Sequence, residues 1–416
     1  MAKKIALINS PRQFYENSLT KDKEIIDNSY PIGLLYVSSA LKNKDYEVSY
    51  LDANFYKKSI NDIVEFVNKN KPEFVGMNIV LPNMDVVLNA AKAIKEKSNT
   101  QIILGGPGAT LFADELIKHP AIDYTISGEG ERTIVELLKG IENNELSEVK
   151  GVSYKAGNEI CTNERREQIQ HLDDILFPDV TEIPKDIINK SGTISMFTTR
   201  GCPSQCTFCS TPKIWERKVR MRSTKNIIDE IKHYEEHFDF KEIHFLDDTF
   251  TLNKRRLYDF IEEYKANDFD KKYSWRCLSR VNTIDEELAI AMKESGCYQI
   301  SFGIESGSPK VLKDIKKGIN LTQAKNALRI CKDAGIKTKA FFMIGFPSET
   351  PGDIKQTLDY ACSCGADDIA INVVKAYPGT EMYESSKGLI GDNFSYKQIN
   401  FDRDPANEVE KRMLKY

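Results

Sequence analysis

Short apolar runs recur along the first part of the chain, at Ile5–Ile8, Val48–Leu51, Phe74–Ile79, Gln101–Leu104 and Tyr124–Ile126. Between and after them, apolar residues fall at helical spacing over Gly33–Lys42, Ile60–Asn68, Met84–Lys97, Leu111–Ile117 and Glu131–Ile141. Uninterrupted apolar strands separated by amphipathic helices predict a parallel sheet covered on both faces. A second alternating series begins near Thr193. Its strands are predicted at Ile194–Thr199, Glu242–Leu246, Trp275–Leu278, Gln299–Ile304, Thr338–Ile344 and Ile369–Val374. Its helices are predicted at Thr224–His237, Lys254–Ala266, Glu286–Ser295, Pro309–Asp314, Leu321–Ala334 and Pro351–Cys364, at the spacing of βα units.

The two series predict two α/β domains of different closure. The first, over residues 1–145, has the pattern of a flavodoxin-like doubly wound parallel sheet, whose ligands bind at the carboxyl ends of the strands. The second, over 191–380, has fewer units than the eight of a full barrel and predicts a partial (β/α)6 barrel. Residues 146–190 are more polar, carry a hairpin pattern around Gly157-Asn158, and read as a connecting segment; 381–416 reads as a short tail.

The predicted strand ends of the first domain carry unusual residues. They run into Asn9-Ser10-Pro11-Arg12, Leu81-Pro82-Asn83, Gly105-Gly106-Pro107-Gly108 and Ser127-Gly128-Glu129-Gly130. Glycine lets the backbone approach a ligand closely, and amides at a helix start favour acceptor groups. Each alone is also an ordinary βα turn. No GxGxxG is present, so a dinucleotide site is not indicated.

Composition narrows the class. The chain is 41% hydrophobic and 29% charged, as in ordinary globular proteins. A net charge of −4 provides no global basic field to gather nucleic acid. No run approaches the roughly 18 apolar residues of a transmembrane helix. The N-terminus reads as a first strand and not a signal peptide. Nine cysteines, an odd number, argue for the reducing cytoplasm and against a disulfide framework.

Three of those cysteines crowd into Cys202-Pro203-Ser204-Gln205-Cys206-Thr207-Phe208-Cys209, directly after the first strand of the second series. Thiolates bind soft iron or zinc. A structural zinc site wants a fourth close Cys or His, and the nearest histidines are His171 and His233. Three cysteines on one loop suit a 4Fe-4S cluster with one iron open to a small chelating ligand; zinc and free thiols are the other readings.

CxxxCxxC with an aromatic before the last cysteine, at the mouth of such a barrel, resembles the radical S-adenosylmethionine (SAM) superfamily. The resemblance implies a 4Fe-4S cluster on Cys202, Cys206 and Cys209. It implies SAM chelating the fourth iron through its methionine amino and carboxylate groups, and reductive cleavage to a 5′-deoxyadenosyl radical. Phe208 carries over by position as a SAM contact. Asp247, ending the second strand where the superfamily often has Gly-Gly-Glu, is implied as the partner of the methionine ammonium; a helix N-cap is its structural alternative. Arg280 is implied to grip the methionine carboxylate through its bidentate fork, and Glu305 to accept from ribose or ammonium. Structural salt bridges are the alternative for both. Phe342–Pro347 resembles the family's backbone contact to adenine.

Pro31-Ile32-Gly33-Leu34-Leu35-Tyr36-Val37, Gly105-Gly106-Pro107 and Gly128-Glu129-Gly130-Glu131 resemble the cobalamin-binding domain fused ahead of such barrels. That branch holds cobalamin-dependent radical methylases and the anaerobic Mg-protoporphyrin cyclase. Cobalamin is implied at Ser10, Pro11, Leu81, Pro82, Gly105, Gly106, Pro107, Gly128, Glu129 and Gly130. DxHxxG is absent and the first histidine is His119, so cobalt is expected without a histidine ligand. Gly108 stands where relatives often have His.

The implied activity is methylation of an unactivated carbon of a small molecule through methylcobalamin. The alternative is a non-methylating radical oxidation, cyclisation or rearrangement with the same cofactors. The implied partner is an external electron donor such as flavodoxin or ferredoxin, with no nucleic acid and no membrane. A cobalamin sensor or carrier is the competing non-enzyme class, and the Asp- and Arg-bearing strand ends argue against it. The basic run Lys213–Arg222 reads as a solvated loop, although related barrels act on RNA.

Overall fold

The computed structural model describes residues 3–11 and 30–390. Arg12 and the tail from 391 onward lie outside the described residues. The chain divides into two compact units, with the main division between Ser191 and Gly192.

The first unit is a seven-stranded sheet in the order β2-β1-β3-β4-β5-β6-β7. Its strands are β1 (Lys4–Asn9), β2 (Glu47–Asp52), β3 (Phe74–Asn78), β4 (Gln101–Gly105), β5 (Tyr124–Ile126), β6 (Val152–Ala156) and β7 (Glu159–Thr162). β1 to β5 are parallel, and β1 is buried from Ile5 to Asn9, as a strand covered on both faces must be. One face packs Leu34 and Leu41 of the helix Ile32–Lys42, and Ile134, Leu137 and Leu138 of the helix Gly130–Asn143, against Ile5, Leu7 and Ile103. The helix Ile60–Asn70 starts at a reciprocal capping box between Ser59 and Asp62, a local signal written in the sequence.

The hairpin assigned to the connecting segment belongs instead to this sheet. β6 pairs antiparallel with β5, and β7 with β6, so the unit runs to Ser191 and not to 145. The physical reason is the sheet edge. β5 has three residues, and an uncovered edge strand there would leave backbone donors and acceptors unpaired.

The second unit is a six-stranded all-parallel sheet running in sequence order from β8 to β15. Its strands are β8 (Thr193–Met196), β11 (Glu242–Phe245), β12 (Ser274–Ser279), β13 (Cys297–Glu305), β14 (Lys337–Ile344) and β15 (Asp368–Val373). β8 and β15 do not pair, so the barrel is partial and open. Trp275 is fully buried, donates Nε1–H to the Ser295 carbonyl at 2.9 Å, and meets Phe245 edge-on. Between β8 and β11 lies a two-stranded ribbon absent from the sequence reading, β9 (Thr199–Arg200) with β10 (Arg220–Met221). The start of the expected tail is also structured: the helix Glu381–Ser385 packs on the unit, and the Met382 amide donates to the Thr207 carbonyl at 3.0 Å. Among the described residues, no helix is long and apolar enough to cross a membrane.

Candidate functional site

The cysteine loop leaves β9 and returns along β10, so the ribbon clamps its base. Gly201 starts the loop at φ +101, and a Cβ there would stand 2.1 Å from the Lys218 carbonyl, so only glycine fits. The base is also tied from beneath. Thr198 O accepts from the Arg222 amide and from Arg256 Nη2, each at 3.0 Å. Arg222 is itself buried in an ion pair with Glu230. The loop's far end is held by the Thr207 amide on the Ile315 carbonyl at 3.0 Å, and by Phe208, whose ring lies 5.7 Å from that of Phe346.

Cys202, Cys206 and Cys209 all line one cavity of about 330 Å³ at the carboxyl ends of the strands. Burial pushes the Cys209 thiol upward against its bonds to Thr211. Cys277, Cys297 and Cys331 are buried away from this cavity, with Cys277 and Cys297 on strands and Cys331 on the covering helix Leu321–Asp333. The donor set facing the cavity is therefore three thiols from one loop, which fits a 4Fe-4S cluster with one open iron.

The carboxylates at the end of β11 divide their work. Asp247, assigned from the sequence to the methionine ammonium, is fully buried and turned away from the cavity. Its Oδ1 accepts the amides of Thr198 at 2.7 Å and Thr199 at 2.6 Å, and its Oδ2 accepts the Thr198 hydroxyl at 2.5 Å. It stitches the root of the cysteine loop to the barrel. The neighbouring Asp248, which the sequence reading passed over, lines the cavity. Partial enclosure, and behind it the charge of Asp247, push its carboxyl up to about 6.

Arg280 follows β12 and lines the cavity as expected, with Nη1 at 3.8 Å from Cys206 Sγ and Nη2 on the Lys317 carbonyl. Glu305 ends β13 at a break in register with β14. It adopts φ +74, a strained conformation for a residue with a Cβ. Its Oε1 accepts from Lys317 Nζ at 2.7 Å in a buried ion pair on the cavity wall. Lys317, which no periodicity marked, thus neutralises the carboxylate that the sequence offered to ribose or ammonium. At the end of β14, Glu349 accepts the amides of Gly345 and Phe346, in the stretch likened to an adenine contact.

In the first unit the strand order reverses between β1 and β3, so the crevice at their carboxyl ends is the switch point of the sheet. Ser10 and the turn Leu81–Asn83 flank it. Beside them the Gly106 turn, at φ +93, presses on Asn78: a Cβ would sit 2.1 Å from Asn78 Oδ1. A Cβ on Gly108 would sit 2.7 Å from the Ile79 carbonyl, so the backbone leaves no room for a side chain there. Gly105, Gly106 and Gly128, the last at φ +82, leave bare backbone at this end of the sheet, and a Cβ on Gly105 or Gly128 would meet nothing within 4 Å, which fits the close approach of a bulky flat cofactor. Glu129 does not face it; its Oε2 accepts the Ile169 amide at 2.7 Å. His119 lies before β5, at the opposite edge, where Lys155 Nζ reaches its carbonyl.

Residues 196–361 match the radical SAM superfamily model, and residues 26–138 the B12-binding domain model. Over 362 residues the chain is 36% identical to an uncharacterised methyltransferase of Pyrococcus horikoshii, spanning 85% of this chain and 78% of that one. The chain belongs to the cobalamin-dependent radical SAM enzymes. Its cofactors are a 4Fe-4S cluster, SAM and cobalamin. Among these enzymes it is also similar to the anaerobic magnesium-protoporphyrin IX monomethyl ester cyclase of Cereibacter sphaeroides, at 28% identity over 91% of this chain and 63% of that one. The radical SAM methyltransferase TsrM of Kitasatospora setae has the same fold, with a TM-score of 0.78 over 94% of this chain and 77% of that one, at 17% identity.

Proposed function

We propose that this radical SAM enzyme methylates an unactivated carbon of a small molecule in the cytoplasm, drawing its electrons from a separate donor protein of the flavodoxin or ferredoxin kind. The observation that carries the reading is one cavity with three cysteines on one wall and Asp248, Arg280 and the Glu305–Lys317 pair on the others. The methyltransferase relative at 36% identity supports methylation over other outcomes. Nine cysteines, none of them in a disulfide, support a reducing compartment.

When bound, the cluster, SAM and cobalamin supply the radical and methyl chemistry. The chain's residues hold and orient. Cys202, Cys206 and Cys209 offer thiolates to iron. Asp248 accepts the methionine ammonium and Arg280 donates to the methionine carboxylate, each a charge-assisted contact. Glu305, with Oε1 taken by Lys317, offers Oε2 to a ribose hydroxyl. In the first unit the glycine cradle at Gly105–Pro107 and Gly128, with Ser10 and Leu81, receives cobalamin.

The test is to incubate the reduced holoenzyme with SAM and candidate substrates, and to measure product mass with both co-products. Methylation gives a product heavier by one CH2, with 5′-deoxyadenosine and S-adenosylhomocysteine formed together. A product with no added carbon, and deoxyadenosine alone, replaces methylation with oxidation, cyclisation or rearrangement.

A further inference from the structure

A second hollow, of about 880 Å³, lies beside the cysteine cavity and shares Ser204, Arg280 and Lys317 with it as a common wall. Every charged residue lining this hollow is a cation: Arg280, Lys313, Lys316 and Lys317. It is also where the cysteine loop shows its back. Pro203, Ser204 and Gln205, between the first two cysteines, line it, and Pro203 and Gln205 are exposed.

The basic run after the loop adds to the same place. Arg220 and Arg222 of that run are buried, but Arg217 is exposed and donates Nη1 to the Ser204 carbonyl at 2.7 Å. Some of the charge is already matched, with Lys316 on Glu381 at 2.5 Å and Lys317 on Glu305. Arg217 and Lys313 have no carboxylate within ion-pair distance among the described residues. The exposed back of the cysteine loop is thus bordered by uncompensated cations.

We propose that this face docks an acidic one-electron donor protein, which delivers its electron through the Pro203–Gln205 stretch. The proposal rests on the functional reading above. The step is a bare electron transfer: the donor is oxidised by one electron, the cluster is reduced by one, and no bond or proton moves. Charge complementarity of this sort speeds encounter and fixes register, and it weakens with salt. A small anionic substrate is the other conceivable occupant. The wall of Ser204, Arg280 and Lys317 would separate it from the cavity where SAM is held.

The experiment compares wild type with Lys313→Glu and Arg217→Gln as reconstituted holoenzymes, neither residue being part of the cofactor-holding set. Binding of an acidic flavodoxin is measured by calorimetry, and cluster reduction by the flavodoxin hydroquinone is followed by stopped-flow absorbance over a range of salt. Sodium dithionite serves as a small reductant that needs no docking. The expected result is about tenfold weaker binding and slower reduction by flavodoxin in each variant, with a flatter salt dependence. Reduction and 5′-deoxyadenosine formation with dithionite stay at wild-type rates. Unchanged flavodoxin binding and reduction in both variants overturns the proposal. So does a wild type that dithionite reduces and flavodoxin does not, or a variant defect confined to the KM of an anionic substrate under dithionite. If wild type forms no deoxyadenosine even with dithionite, the functional reading itself fails, which is a separate result.

Discussion

Asp247 and Asp248 are adjacent and chemically identical, but one anchors the cysteine loop and the other lines the cavity, so substituting each in turn separates loop anchoring from the proposed SAM contact. Replacing Asp247 with Ala leaves two backbone amides and one hydroxyl without their acceptor at a fully buried site. At about 1–3 kcal/mol for each unmet buried donor, with the hydroxyl able to turn elsewhere, the two amides cost about 2–6 kcal/mol. That falls on the root of the cysteine loop. Asp247→Asn keeps Oδ1 on both amides and replaces Oδ2 with a nitrogen that can donate to the Thr198 hydroxyl but not accept from it, so it gives up the charge and reverses one bond, for about 1–2 kcal/mol. Asp248 makes no comparable bond, its nearest being the Thr211 hydroxyl at 3.4 Å. Asp248→Asn should leave folding and the cluster intact, and should weaken SAM by the loss of one charge-assisted contact, about 1.5–3 kcal/mol or roughly ten- to a hundredfold in Kd. Iron content and melting temperature report the first role. SAM titration, followed by calorimetry and by the change in the EPR signal of the reduced cluster, reports the second. Asp247→Ala should lose iron, Asp247→Asn should retain most of it, and Asp248→Asn should retain all of it with a raised Kd. The reasoning is refuted if Asp248→Asn binds SAM like wild type, or if Asp247→Ala keeps its full iron content and melting temperature.

The joint Cys202→Ala, Cys206→Ala and Cys209→Ala variant should hold no cluster iron, while Cys277→Ala, Cys297→Ala and Cys331→Ala each keep it, since those thiols are buried between strands and the helix Leu321–Asp333, away from the cavity; iron analysis decides. Arg280→Gln removes a positive charge 3.8 Å from Cys206 Sγ, so SAM should bind about tenfold or more weakly and the cluster potential should fall. Arg280→Lys should restore the potential, which needs only the charge, and not SAM binding, which needs the bidentate fork; redox titration and calorimetry check both. Burial raises the Glu349 carboxyl to about 7 against the bonds it accepts from Gly345 and Phe346. The folded state therefore holds a proton that the unfolded state has lost between about pH 4.5 and 7, and stability falls as pH rises through that window. Glu349→Gln should flatten this loss, visible as melting temperatures that converge at low pH and separate above pH 7. Gly106→Ala should abolish cobalamin binding by the first unit, because its Cβ meets Asn78 Oδ1; absorbance of bound cobalamin measures it.

Strand positions were legible because buried parallel strands need unbroken apolar runs. Every strand expected in the two alternating series forms within a few residues of its predicted bounds. The cysteine cavity was legible because three ligands on one loop are a local pattern. What escaped depends on contacts distant in sequence. The β6–β7 hairpin has ordinary hairpin chemistry, and only the short edge of β5 decides that it joins the first sheet. The roles of Asp247 and Asp248 turn on which of two successive side chains points into the cavity. A strand end alternates, so the choice rests on a register that composition does not carry. Lys317 sits just past the short helix Pro309–Asp314 and reaches Glu305 twelve residues back, a pairing with no periodic trace. A bias did exist in one case: Asp247, next to an apolar strand end, was the more deeply placed of the pair and so the poorer candidate for a ligand contact.

The charges of the cavity explain why so many ionisable groups can share a small space. Glu305 and Lys317 cancel each other, so the strained backbone at Glu305 is held by an ion pair that adds no net field. Asp248 and Arg280 remain, one negative and one positive, on the same wall set as the cysteines. The methionine end of SAM is a zwitterion, and in the proposed binding this pair would match it charge for charge, amine to carboxylate and carboxylate to guanidinium. On the opposite side Cys202, Cys206 and Cys209 would hold the cluster through sulfur ligands that set a negative field. Arg280, close to Cys206, tempers that negative field at one corner only. Orientation therefore follows from electrostatics without any residue having to move: reversing the zwitterion would set like charges together at both ends. The same argument accounts for the burial of Asp247. A second exposed carboxylate beside Asp248 would offer the ammonium two competing positions, whereas three donors from Thr198 and Thr199 consume it and leave one.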